Sequence, residues 1–187
     1  MKKKSSFLQQ FWKQKKMVGA MAPSSRFLAN LMLKNIDFTT ADVIVELGPG
    51  TGVFTKRILE KMHSNAVILV FELNDEFFYS LTHIFKDSRV HLIHDSAEKI
   101  EHYLTKLNLA QADIVVSSLP LAVFPPQLRD AVLDASYKSL RVNGNYVQFQ
   151  YSLTSKKHIK RVFEKVSIDF TPFNFPPAFV YTCSKEN

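Results

Sequence analysis

Apolar and polar positions alternate between two periods along this chain. Short apolar, β-branched-rich runs recur at Val43–Leu47, Val67–Glu72, Val90–His94, Asp113–Ser117, Asn145–Tyr151, Lys165–Phe170 and Ala178–Cys183. Each predicts a strand. Between the first six lie stretches whose apolar residues fall three and four apart, at about 53–63, 75–86, 97–108, 126–140 and 154–163, and these predict helices. Upstream, 5–17 predicts a helix. Pro23 with Ser24 and Ser25 opens another to about Ile36, where Phe27, Leu28, Leu31 and Met32 share a face. Early strands separated by helices predict βαβ units and a parallel sheet. Asn143-Gly144 predicts a turn ahead of the fifth strand. The last two strands are joined only by Pro172–Pro177, so they are expected to pair antiparallel at the sheet end.

Size and composition are those of one globular domain. The chain has 187 residues, 46% of them hydrophobic and 16 of them Phe, enough to bury a core. No apolar run approaches the roughly 18–20 residues of a membrane-crossing helix. The Lys-rich start lacks an apolar stretch and cleavage site of the secretory kind, so a cytoplasmic location is expected. Cys183 is the one cysteine, which excludes an intrachain disulfide and a Cys-based metal cluster.

Charge changes the picture because of where it sits. The net charge is +7, and residues 1–26 carry seven basic side chains (Lys2, Lys3, Lys4, Lys13, Lys15, Lys16 and Arg26) and no acid. The remainder holds 17 of each sign, so the whole excess lies in this arm. Such an arm points to a polyanionic partner, nucleic acid or an anionic membrane, or else is a solvated leader.

Candidate chemistry begins where the first strand ends. Val43-Ile44-Val45-Glu46-Leu47-Gly48-Pro49-Gly50-Thr51-Gly52 is a buried strand, an acid, then three alternating glycines ahead of a helix. Glycines let backbone pass close to a ligand, and the helix start offers free N–H groups to a carboxylate. Dinucleotide enzymes place the third glycine one residue later, where this chain has Val53. Glu72 ends the second strand, where an acid accepts from ribose hydroxyls. Asp95-Ser96 follows the third, where a carboxylate can accept from an adenine amino group. A surface acid for Glu72 and a helix N-cap for Asp95 are the ordinary alternatives. All three sites fall at the carboxyl ends of strands, where open α/β sheets bind ligands.

Together with Ser117-Ser118-Leu119-Pro120 after the fourth strand, these motifs resemble the class I S-adenosylmethionine-dependent methyltransferases over most of the chain. The resemblance implies an α/β, Rossmann-like fold: a seven-stranded, mostly parallel sheet with an antiparallel last strand, helices on both faces and extra N-terminal helices. It implies S-adenosylmethionine as cofactor, with Glu46, Gly48, Gly50, Thr51 and Gly52 around the methionine end, Glu72 at the ribose and Asp95 at the adenine. Leu73, Ser96 and Ser117 complete the expected cofactor set. Residues 1–36 would form basic N-terminal helices capping substrate or membrane, within the same domain as a catalytic part at 37–187.

A narrower resemblance runs through Val18–Arg26, Ser117–Leu121, Val147–Tyr151 and Phe175–Tyr181. These segments are similar to the bacterial phospholipid N-methyltransferases, which methylate phosphatidylethanolamine at the membrane surface. More distantly, the chain resembles the ribosomal RNA adenine dimethyltransferases. Those carry Asn-Leu-Pro-Tyr or a close variant after the fourth strand, the amide holding the amine and the ring stacking on the base. Here the stretch is Ser118-Leu119-Pro120-Leu121, without amide or ring. They also carry a helical RNA-binding domain, which is not expected here because the sequence runs only a few residues past the seventh strand. A nucleic-acid substrate is therefore less expected than a phospholipid, with other amines and a non-catalytic cofactor-binding module as further alternatives.

The arm fits a membrane. On a helical wheel Phe7, Leu8, Phe11 and Trp12 share one arc, with Gln9, Gln10, Lys13, Gln14 and Lys16 opposite. The other use of such a stripe is to cover the protein's own core. For catalysis, a base or desolvated acceptor near the amine would help, and Tyr151 is the candidate by position and resemblance; Ser117, Ser118 and the Leu119 carbonyl could orient an amine, and His94 is a weaker candidate that could face the sheet interior.

Overall fold

A computed structural model describes residues 25–186. The helix expected over 5–17, with Phe7, Leu8, Phe11 and Trp12, lies outside the described residues. Seven strands form one sheet: β1 (Val43–Leu47), β2 (Val67–Phe71), β3 (Val90–Ile93), β4 (Ala112–Ser117), β5 (Leu140–Gln150), β6 (Lys165–Thr171) and β7 (Ala178–Ser184). Their order is β3-β2-β1-β4-β5-β7-β6. β1 to β5 run parallel, and β7 is antiparallel to both β5 and β6. The helices are α1 (Arg26–Leu33), α2 (Val53–Lys61), α3 (Asp75–Ile84), α4 (Ile100–Lys106), α5 (Pro126–Ser139) and α6 (Lys156–Val162).

The period of two in each strand builds two cores. Val43, Val45 and Leu47 of β1 point to one face with Leu69, Phe71 and Val115, under Leu104 of α4, Leu133 of α5 and Ile159 of α6. Ile44 points to the other with Ile68, Val70 and Val116, under Leu28 and Met32 of α1 and Phe54 and Ile58 of α2. The central strands are covered on both sides, which is why they read as continuous apolar runs. Among the described residues no helix is long and apolar enough to cross a membrane.

Two details depart from the sequence expectation. Asn143-Gly144 does not precede β5 but interrupts it. α5 ends at Ser139, β5 begins at Leu140, and its pairing with β4 slips between Ala112 and Ile114. Asn143 takes φ 61° there, a left-handed conformation that Asn tolerates better than most residues. The helix expected over 97–108 starts as a tight 3₁₀ turn at Ala97–Lys99 before α4.

Candidate active site

The site is assembled at the carboxyl ends of β1, β2, β3 and β4. β1 delivers Glu46 buried, then the chain turns sharply, with Gly48, Gly50 and Gly52 all at positive φ (70°, 56° and 81°). The reasons differ. A Cβ on Gly48 would lie 2.8 Å from Leu119, and one on Gly52 would lie 2.6 Å from Phe85, so both keep packed elements in contact. A Cβ on Gly50 would meet nothing within 4 Å, so that glycine borders open space. Gly52 caps α2 without any side chain and leaves the first-turn amides of that helix for other partners.

Glu72 closes the loop from the β2 side. One oxygen accepts from the Asn74 amide at 2.8 Å and the other from the Gly50 amide at 3.3 Å. It is 3% exposed, so it is no surface acid. Burial pushes its carboxyl up to about 7, against those amide bonds. Glu46 is fully buried, with the Thr55 hydroxyl and amide beside it but outside close hydrogen-bond geometry. Burial pushes it up to about 8, Thr55 of α2 partly offsets this, and the Glu72 charge adds to it.

Asp95 and Ser96 stand opposite. Ser96, not Asp95, caps the turn that follows, accepting from the Glu98 amide. Asp95 accepts from the Ser96 amide at 2.8 Å, from Lys99 Nζ at 2.8 Å and from the Tyr103 hydroxyl at 3.1 Å. Burial pushes its carboxyl up, but those three donors outweigh it and the net shift is downward, so it is a settled anion. Gly48, Glu72, Leu73, Asp95 and Ser96 line one crevice, walled by Leu119 and by Phe124, Leu128 and Val132 at the start of α5. Thr51 is exposed at the loop tip and does not line it.

A second hollow lies beyond Leu119. Ser118, Leu119, Pro120, Phe149, Gln150 and Tyr151 bound a cavity of about 260 Å³, the room of several waters. The Ser118 hydroxyl is buried without a hydrogen-bond partner among the described residues. Ser117 is fully buried, does not line this cavity, and accepts from the Leu119 amide at 3.4 Å. Tyr151 has a hydrogen bond with Asn174. Burial raises its hydroxyl more than that bond lowers it, so it stays protonated at neutral pH. His94 does not face the interior: it is exposed, stacks on Phe78 and pairs with Asp75 at 3.0 Å.

The Leu119 carbonyl is already engaged. It accepts from Gln148 Nε2 at 3.0 Å, Gln150 Nε2 at 2.9 Å and the Leu121 amide at 2.9 Å. The amide orientations are fixed by their other partners: Gln148 Oε1 accepts from Tyr146 and Gln150 Oε1 from the Ala122 amide. Sequence reasoning missed this clamp. Its signal was two amides two residues apart in a strand that is otherwise largely apolar, on one face by the pleat. It also missed Phe149 as a cavity wall and Asn174 behind Tyr151.

A cofactor with a carboxylate, a cationic centre and an adenosine fits these residues. The buried Glu46, without a close hydrogen-bond partner among the described residues, leaves negative capacity that a cation would satisfy, and Glu72 stands where hydroxyls could donate to it. Open space at Gly50 admits a ligand against the backbone.

Comparisons with known proteins agree. Residues 1–142 match the family model described as ribosomal RNA adenine dimethylase. The chain is 31% identical over 179 residues to an ornithine lipid N-methyltransferase of Singulisphaera acidiphila, covering 95% of this chain and 93% of that one. It is 28% identical over 113 residues to ribosomal RNA small subunit methyltransferase A of Clostridium acetobutylicum, covering 59% of this chain and 40% of that one. Among solved structures it is similar to the 1,6-didemethyltoxoflavin-N1-methyltransferase of Burkholderia thailandensis with bound S-adenosylhomocysteine. That likeness has a TM-score of 0.70 at 14% identity and covers 98% of this chain and 87% of that one.

Proposed function

This chain belongs to the ribosomal RNA adenine dimethylase family and is an S-adenosylmethionine-dependent methyltransferase, and from that premise we propose that its acceptor is the amine of a membrane-lipid headgroup. Phosphatidylethanolamine is the headgroup that the sequence motifs suggest, and the ornithine lipid of the Singulisphaera relative has the same chemistry, a primary alkyl amine. The observation that carries this is the acceptor cavity. Ser118 stands where an adenine enzyme of this kind has an amide. Leu121, where that enzyme has its ring, is fully buried and leaves no surface for a base to stack on. The adjoining Leu119 carbonyl has its donors already.

When bound, S-adenosylmethionine supplies a methyl group activated on a sulfonium. Glu46, Glu72 and the Gly48–Gly52 loop would hold it, with Leu73, Asp95 and Ser96 along the adenosine. Ser117 would act by tethering the loop that bears Ser118 and Leu119. The chain's remaining task is to present a neutral amine and exclude water. A lysine-like amine has a pKa near 10.4, so on the order of one in a thousand is neutral at pH 7. Removal from water into the cavity lowers that pKa and frees the lone pair. The Ser118 oxygen can accept an amine N–H, and the protonated Tyr151 hydroxyl, steadied by Asn174, orients the headgroup rather than acting as a base. The Phe149 and Tyr151 rings, 5.5 Å apart at 65°, line the cavity with apolar surface that keeps water from the amine.

The family match and the Clostridium relative favour a second acceptor, an RNA adenine. The test is methyl transfer from labelled S-adenosylmethionine, side by side, to phosphatidylethanolamine vesicles, ornithine-lipid vesicles and structured ribosomal RNA. Lipid product is expected. Dimethyladenine with no lipid product would overturn the proposal.

A further inference from the structure

Between β6 and β7 the chain makes a tip that carries two outward-facing aromatic rings, Phe173 (68% exposed) and Phe175 (88% exposed). Apolar rings so far out of a small domain call for an explanation. The tip is not loose. Asn174, between the two rings, is 6% exposed. Its Oδ1 accepts from the Ser25 amide at 3.0 Å and its Nδ2 donates to the Pro176 carbonyl at 2.7 Å. Phe173 also leans on Phe27, with centroids 5.3 Å apart. The turn is pinned from below, and the rings are held outward.

The same asparagine bonds Tyr151, so the tip stands at the mouth of the acceptor cavity. On the far side of that mouth the chain runs through Ser152 to a shallow hollow lined by Leu153, Lys156, Lys157, Lys160 and Arg161. Arg161 pairs with Asp130 at 3.0 Å, whereas the three lysines form no ion pair among the described residues. Aromatic rings, an amine-sized cavity and a row of cations thus succeed one another along one edge of the sheet.

We propose that this edge is a docking face for an anionic lipid bilayer. Phe173 and Phe175 enter the headgroup region, Lys156, Lys157 and Lys160 meet lipid phosphates, and the cavity opens at headgroup level between them. The chemistry is that of interfacial binding: apolar area that inserts, beside cations that read negative surface charge. The face uses residues other than those of the basic arm and would orient the molecule so that Tyr151 looks into the membrane. Its purpose rests on the lipid reading of the acceptor, but its test does not.

Vesicles of pure phosphatidylglycerol carry no amine and report docking alone. The full chain should sediment with them. Phe173→Ser/Phe175→Ser and Lys156→Glu/Lys157→Glu/Lys160→Glu should each bind at least roughly tenfold more weakly while still folding cooperatively in thermal melts, because the altered side chains are exposed and, among the described residues, only the Phe173–Phe27 contact is given up. As a direct reporter, Phe175→Trp in a Trp12→Phe background should shift its emission to the blue on adding these vesicles. Binding equal to wild type in both multiple variants, or an unshifted Trp, would overturn the proposal. A structured RNA that shifts the Trp when vesicles do not would overturn it in favour of a nucleic-acid face. If vesicles bind as expected but no lipid is methylated, the docking face stands and the acceptor assignment falls.

Discussion

The Gly50 amide donates to the Glu72 carboxylate across 3.3 Å, joining the loop after β1 to the end of β2 before any ligand is present. Glu72 already accepts from backbone amides of Gly50, Asn74 and Leu73, and a carboxylate offers about four such sites, so room remains for a ribose hydroxyl. Glu72→Ala should therefore weaken S-adenosylmethionine binding by about 1.5–3 kcal/mol, the range for hydrogen bonds to a charged group, as read by calorimetry on folded protein.

Gly50→Val should abolish cofactor binding. Nothing in the fold fills the space a side chain would enter, so the new atoms occupy the ligand's approach. The residue's φ of 56° adds strain of about 1–2 kcal/mol, which is small beside the loss of binding. Unchanged affinity in a folded Gly50→Val protein would remove this loop from the cofactor site.

Cofactor affinity should rise with pH between about 6 and 9, because Glu46, held near 8 by burial, must ionise to face the cationic methionine end and Glu72, held near 7, must ionise to accept fully from ribose hydroxyls. Stability of the ligand-free protein should move the other way. Both groups keep their protons in the folded state above the ordinary 4.5, so the folded form binds more protons than the unfolded form. Its stability then falls as pH rises from about 4.5 to 8. Glu46→Gln should flatten part of that slope in thermal melts. Parallel slopes for variant and wild type would mean that Glu46 is not the group titrating.

Tyr151→Phe should lower turnover more than cofactor affinity, since Tyr151 lines the cavity beyond Leu119 and not the crevice. Steady-state kinetics with titrated lipid separate the two, and full turnover would leave the ring but not the hydroxyl with a role. Gln150→Ala should also slow turnover, through misplacement of the Leu119 segment it clamps at 2.9 Å, with little change in cofactor Kd.

Deletion of residues 1–16 should weaken sedimentation with anionic vesicles, and raised salt should do the same to the full chain, since exposed charges are screened beyond about 8–10 Å at ordinary ionic strength. A truncated chain that binds as well as the full one would take the arm out of membrane attachment.

The sheet was legible because its central strands are apolar on both faces: Val43–Leu47 and Val67–Phe71 could be little else. The gathering of Glu72, Asp95 and Ser96 at one crevice was legible because strand ends are fixed once strands are, and each of the three follows one. What was hidden depends on contacts between distant segments. The clamp on Leu119 brings together residues 29 and 31 positions apart, and nothing near Leu119 announces it. His94 was misjudged because a strand-end residue has no pleat to fix its side; Phe78 and Asp75 of α3 draw it outward. Asn143 reads as a turn because it is one in conformation, but β4 pairs with the strand on both sides of it.

The bond from the Ser25 amide to Asn174 spans 149 positions of sequence and ties the start of α1 to the tip between β6 and β7. That junction is a fulcrum, and it shares its asparagine with Tyr151. A load on that bond reaches the Tyr151 ring through one buried side chain, so Asn174→Ala should loosen the tip and the cavity wall together.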